Sequence, residues 1–144
     1  MLISSNSSLK ELYKKGFTLI ELLVVIVIIG ILSAIIIPRI TNRIGEAKIK
    51  ATKVQLKNLQ GALEQYYIDT GMYPTTAQGL QALVEKPTIP PIPDNWHQEL
   101  DKVPTDGWGH KFYYISPAPN HPYDLFTKTP DGKKIDVWTM HLKK

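Results

Sequence analysis

The 144-residue chain contains no cysteine, which removes disulfides and thiolate metal sites at once. That absence leaves the compartment open, because an oxidising space tolerates cysteine-free proteins. Histidine is sparse too. His97, His110, His121 and His141 show none of the close spacings of a zinc site. Neither a Gly-x-Ser-x-Gly elbow nor a glycine-rich phosphate loop occurs, and no active site is expected. The net charge is a modest +4 with scattered lysines, so the concentrated basic stripe that a nucleic-acid surface needs is missing. Nucleic acid is therefore not an expected partner. Internal repeats and low-complexity tracts are absent as well. Trp96, Trp108 and Trp138 read as packing residues of a small domain rather than a ligand groove. Ile89-Pro90-Pro91-Ile92-Pro93 reads as a spacer rather than a polyproline ligand.

One apolar run is long enough to span a membrane. Lys14-Lys15-Gly16-Phe17-Thr18-Leu19-Ile20-Glu21 leads straight into it, and Glu21 is the only charged residue between Phe17 and Ile37. As a helix this segment covers ~30 Å, the thickness of a bilayer's hydrocarbon core. A carboxylate within it costs roughly 2.5–3.5 kcal/mol if it behaves like Asp on the insertion scale, so a use for Glu21 is expected. A secretory signal also begins with basic residues before an apolar core. This run is longer, and it ends in Ile35-Ile36-Ile37-Pro38 instead of a small-residue cleavage site. Flanking charge does not orient the helix, since Lys10, Lys14 and Lys15 on one side face Arg39, Arg43, Lys48 and Lys50 on the other.

Gly16-Phe17-Thr18-Leu19-Ile20-Glu21, followed by Leu22-Leu23-Val24-Val25-Ile26-Val27-Ile28-Ile29-Gly30-Ile31-Leu32, resembles the class III signal of type IV pilins and pseudopilins. The resemblance implies a leader over residues 1–16, cleavage between Gly16 and Phe17 by a prepilin peptidase, and N-methylation of Phe17. It also implies assembly roles for Phe17, Glu21 and Pro38, a cytoplasmic leader, and a domain outside the inner membrane. Elementary electrostatics agrees. The freed Phe17 amine is a cation with an unperturbed pKa near ~8, and a carboxylate from a neighbouring subunit would neutralise it and favour one register. The plainer alternatives for Glu21 are snorkelling to headgroups or pairing with Thr18 in its own helix.

Helical periodicity continues through Ile40, Ile44, Ala47, Ala51, Val54, Leu59 or Ala62, and Tyr66, widened by Leu56, Leu59 and Leu63. It predicts a helix to about Tyr67, ended by Gly71 and Pro74, with Pro38 inviting a kink or local melting. A short helix over Leu80–Val84 should follow. Lys111–Ile115, Tyr123–Thr127 and Ile135–Thr139 read as three short strands separated by turn residues. The expected fold is α+β and type IV pilin-like, a long N-terminal helix, transmembrane then amphipathic, packed on a small antiparallel sheet.

Tyr73-Pro74-Thr75-Thr76, Gln78-Gly79-Leu80-Gln81-Ala82-Leu83-Val84, Val103-Pro104 with Asp106, Trp108 and Gly109, and Tyr123-Asp124-Leu125 before Asp131-Gly132 are similar to blocks of the general secretion pathway protein G family, the major pseudopilins of type II secretion. Ordinary type IV pilins commonly close their C-terminal region with a disulfide, which this chain cannot form. At Gly107 the family usually has proline, a change expected to loosen a turn without altering function. The family also binds calcium in a glycine-rich loop after the Asp-Gly pair, ending in adjacent acids. Here Asp131-Gly132 is followed by Lys133-Lys134-Ile135-Asp136. One terminal acid is missing and two lysines add positive charge, so no metal is favoured. Asp131 and Asp136 are the two candidate calcium ligands.

The expected organisation is a cleaved leader over 1–16, a transmembrane and assembly helix over 17–38, and a periplasmic domain over 39–144. The implied function is structural: a subunit polymerising into a helical homopolymer that pushes folded exoproteins through the outer membrane. Implied partners are the prepilin peptidase, minor pseudopilins, an inner-membrane assembly platform, a cytoplasmic ATPase and the inner membrane itself. The alternatives are a type IV pilin or competence pseudopilin and, in a different class, a membrane-anchored periplasmic binding domain.

Overall fold

The computed structural model describes residues 16–141; residues 1–15 of the expected leader and residues 142–144 lie outside the described residues. The chain divides into two compact units, Met1–Arg43 and Ile44–Lys144. Helix α1, Leu19–Thr70, contributes to both. Its backbone stays helical through Pro38, so the missing N–H does not melt the turn.

From Leu19 to Ile35 the large apolar side chains of α1 stand exposed. Leu19, Leu23, Ile26, Ile29 and Ile31 are all more than half exposed. Among the described residues α1 is the helix long and apolar enough to cross a membrane, with a mean hydropathy of 3.2 in its most apolar window.

In the second unit α1 buries Thr52, Leu56, Leu59, Leu63 and Tyr66, a sequence of three- and four-residue steps that keeps one face inward. The later part of the stripe that periodicity traces, Leu56, Leu59, Ala62, Leu63 and Tyr66, is the buried face; its earlier part is not. Ile40, Ile44 and Val54 are about half exposed, and Ala47 and Ala51 are exposed as well. The buried face includes a threonine because its hydroxyl is satisfied inside the unit: Thr52 Oγ1 donates to the Lys48 carbonyl at 2.8 Å and accepts from the Gly107 N–H at 2.9 Å. The helix runs a turn beyond Tyr67. It closes at Gly71, whose φ of 77° and N–H bond to the Tyr67 carbonyl at 2.7 Å form a left-handed C-terminal cap.

Beyond the cap, Leu80–Leu83 form a single 3-10 turn that buries Leu80, Ala82 and Leu83 against the core. Thr75 and Gln78 hold its approach through reciprocal bonds of 3.0 and 3.2 Å. The Gln78 amide then donates to the carbonyls of Ile89 and Pro91 at 2.7 and 2.8 Å. Prolines supply no N–H, so their stretch is held through its carbonyls, as a spacer would be.

Three strands complete the unit: β1 (Tyr113–Ile115), β2 (Asp124–Lys128) and β3 (Lys134–Asp136). They form one antiparallel sheet in the order β1-β2-β3, with Tyr114 opposite Leu125 and Thr127 opposite Ile135. These four side chains are buried, joining Phe112, Tyr123 and Val137 in the same core as the helix stripe. The last strand is shorter than expected and begins one residue earlier. Asp136 accepts the Trp138 N–H at 2.8 Å, and the N–H groups of Thr139 and Met140 turn back to the Asp136 carbonyl. An aspartate that bonds its own backbone two residues on makes a turn where alternation alone reads strand.

Candidate functional site

The bond between Gly16 and Phe17 lies in exposed, non-helical backbone just before α1, and Phe17 is 88% exposed. Thr18 sits at the cap position. Its N–H donates to Glu21 Oε2 at 3.3 Å, and the Glu21 N–H donates to Thr18 Oγ1 at 3.2 Å. This reciprocal pair is a capping box, which satisfies two of the N–H groups a helix start leaves open. Glu21 thus has a partner within the single chain, and of the readings open at the sequence level the pairing with Thr18 is the one formed here. A carboxylate at this point also meets the positive end of the helix dipole. Pro38 stands nineteen positions after Leu19 in the same helix.

In the second unit Asp106 is a fully buried carboxylate with several hydrogen-bond partners. Its Oδ1 accepts the N–H groups of Trp108 and His110 at 2.9 and 2.8 Å. Its Oδ2 accepts the Thr127 hydroxyl at 2.6 Å, and His110 Nδ1 stands 3.7 Å away. Burial pushes this carboxyl upward, but the hydrogen bonds from Thr127, His110 and Trp108 outweigh it and hold its pKa below the ordinary value. Asp106 therefore joins the Trp108 turn to the central strand. Its role is architectural: the hydrogen bonds it accepts tie segments of the unit to one another.

Next to it, Gly107 does something other than loosen a turn. A Cβ built there would run into the Lys48 carbonyl oxygen and lie 2.9 Å from the Lys48 Cα. The residue is small because two backbones touch. Sequence reading had no signal for this, since the two segments meet only in the fold.

The two candidate calcium ligands stand in different surroundings, Asp131 in the loop between β2 and β3 and Asp136 at the end of β3. Asp131 is exposed at a turn closed by Thr129, whose hydroxyl accepts the Lys133 N–H at 2.9 Å. The neighbouring Thr129 side chain lowers the Asp131 pKa first, with the Asp131 N–H and the charge of Lys133 assisting. Asp136 is buried, with Oδ1 on the Trp138 N–H and Oδ2 on Lys134 Nζ at 2.9 Å. Among the described residues no three His, Cys, Asp or Glu side chains gather where a metal could sit. Beside the loop, a cavity of about 410 Å³ is lined by Lys53, Lys133 and Lys134 against one carboxylate, Asp136. Calcium takes six to eight oxygens. This donor set does not fit it.

Comparison with known proteins decides the family. The model of type II secretion system protein G matches residues 39–137, and the prokaryotic N-terminal methylation motif matches residues 12–37. The chain belongs to the type II secretion system protein G family. It is 44% identical over 123 residues to the type II secretion system core protein G of Pseudomonas aeruginosa, covering 84% of this chain and 87% of that one. It is 37% identical over 138 residues to the core protein G of Escherichia coli K12, covering 91% and 95%. Among solved structures it is similar to the major pseudopilin from the type 2 secretion system of enterohaemorrhagic Escherichia coli, with a TM-score of 0.59 and 36% identity over 65% of this chain and 89% of that one. The long helix and three-stranded antiparallel sheet are the pilin-like arrangement expected of a protein G chain.

Proposed function

We propose that this chain is the major structural subunit of the periplasmic pseudopilus of a type II secretion system. The observation that carries the reading is the bare apolar face of α1 from Leu19 to Ile35, headed by Glu21, in a chain of the protein G family. A contiguous apolar surface of this length needs a cover. The bilayer supplies it in storage, and the helices of neighbouring subunits supply it in a filament.

In this scheme the leader over 1–16 is cytoplasmic, residues 17–38 form the membrane and assembly helix, and residues 39–144 lie in the periplasm. A prepilin peptidase cuts the exposed bond after Gly16 and methylates Phe17, which keeps the amine's charge. On assembly the carboxylate of Glu21 leaves its own cap for the Phe17 amine of a neighbour. That exchange trades a weak neutral donor for a charged one in a water-poor setting, where charge-assisted bonds are strongest. A head-to-tail interface that does not close on itself gives a filament from one subunit type. A cytoplasmic ATPase working through an inner-membrane platform drives extraction, minor pseudopilins start the tip, and growth pushes folded exoproteins outward. The chain itself contributes surfaces, not catalysis.

The test is the intact mass of the protein extracted from membranes, followed by shear fractionation and electron microscopy. Loss of residues 1–16 plus one methyl group, together with filaments that contain this chain, is the expected result. An unprocessed, monomeric product in cells that secrete normally would overturn the proposal.

A further inference from the structure

Strand β3 ends on a carboxylate that must be neutralised from nearby. Asp136 is 8% exposed, and a buried carboxylate is tolerated only when it is paired and hydrogen-bonded. Lys134, two residues earlier on the same strand, brings its ammonium to 2.9 Å from Asp136 Oδ2. The same ammonium lies 4.3 Å from the centre of the Phe126 ring, and Phe126 is the residue opposite Asp136 in the β2–β3 register. Carboxylate, ammonium and ring thus form one closed set across two strands, with the cation held both by charge and by the face of the ring. The turn beyond is closed separately, by the paired Thr129 and Lys133 bonds. Nothing in this arrangement leaves a carboxylate pair for a dication, and the neighbouring cavity presents lysines to it.

We infer that the Lys134 ammonium is a tethered cation that occupies the electrostatic role of a divalent ion beside the β2–β3 hairpin, so that this chain closes its C-terminal segment without calcium. A dissolved ion stabilises a fold in proportion to the logarithm of its concentration over Kd. A cation carried by the chain is always present, and a chelator cannot remove it. The loop should therefore hold its shape at any calcium concentration, a property that belongs to the soluble unit and does not depend on whether the subunit polymerises.

Thermal melts of the full chain in detergent, with EGTA or with millimolar calcium, test this. The wild-type protein should melt at the same temperature in both. Lys134→Met should lower the melting temperature by several degrees in both, and Lys134→Arg should recover most of the loss. Lys134→Asp, which places a second carboxylate beside Asp136, should be the least stable in EGTA and should gain a calcium-dependent rise. A calcium-dependent rise in the wild-type protein would overturn the inference. So would a Lys134→Met variant as stable as wild type, which would reduce the pair to an ordinary surface contact, or a Lys134→Asp variant indifferent to calcium.

Discussion

Gly107 donates its backbone N–H to the hydroxyl of Thr52 at 2.9 Å, across 55 residues of sequence. Thr52 passes the contact on to the Lys48 carbonyl, so one small residue docks the Trp108 turn directly onto the backbone of α1. The close approach and the hydrogen bond are two aspects of the same joint, and they can be separated by substitution.

Gly107→Ala keeps the N–H but drives a Cβ into Lys48 backbone, which cannot swing aside as a side chain would. It should destabilise the unit by about 1–3 kcal/mol, the usual cost of overpacking. Thr52→Val keeps the volume but leaves the Gly107 N–H without its acceptor, at about 1–3 kcal/mol. Chemical denaturation of both variants checks this. A Gly107→Ala protein with an unchanged midpoint would show that the helix yields more than a close-packed interior should.

Asp106 sets an acid limit on stability. Its pKa is held below the ordinary 3.8, so the folded state favours the carboxylate more than the unfolded chain does. The stabilisation is fully present above the unfolded value and is lost as pH falls through the lower, folded one. Urea midpoints measured from neutral pH downward should fall in that acid window, and more gently in Asp106→Asn, which cannot titrate there. Asp106→Ala should cost several kcal/mol at neutral pH, because it strands two N–H groups and the Thr127 hydroxyl together.

Glu21 caps its own helix and is proposed to pair with a neighbour's Phe17 amine, and glutamine tells the two roles apart. A capping box accepts Glu or Gln at this position, so Glu21→Gln should preserve the helix start while removing the charge. If assembly rests on neutralising the Phe17 amine, Glu21→Gln and Glu21→Ala should both insert normally and both fail to give cross-linked filament ladders. Full ladders from Glu21→Gln with none from Glu21→Ala would assign the residue to capping alone.

Processing should depend on the size and charge of residue 16. Gly16→Ala should be cleaved in part. Gly16→Glu should accumulate as the full-length precursor, since a bulky charge stands beside the bond to be cut. Intact mass reads the outcome, and a normally cleaved, methylated product from Gly16→Glu would remove the assigned cleavage site.

What could be read from residue order was local. The apolar run before Pro38, the Gly71 cap and the three strand cores all follow from patterns a few residues long, where hydropathy and backbone preference act directly. The Thr18–Glu21 pair is of this kind too, because three residues separate its members.

Tertiary structure decided the rest, wherever a residue's partner lies far along the chain. Periodicity ran the apolar stripe of α1 through Val54; the fold instead buried Thr52, whose hydroxyl meets Gly107, and left Val54 exposed. Asp106 became a buried hub only because Thr127, 21 residues away, reaches it. Gly107 lies against Lys48 backbone that only folding brings near. Lys134 and Asp136 are close in sequence, but Phe126, which receives the same ammonium, comes from the neighbouring strand. Short-range order is written in propensity, whereas a buried polar group takes its meaning from whichever distant group satisfies it.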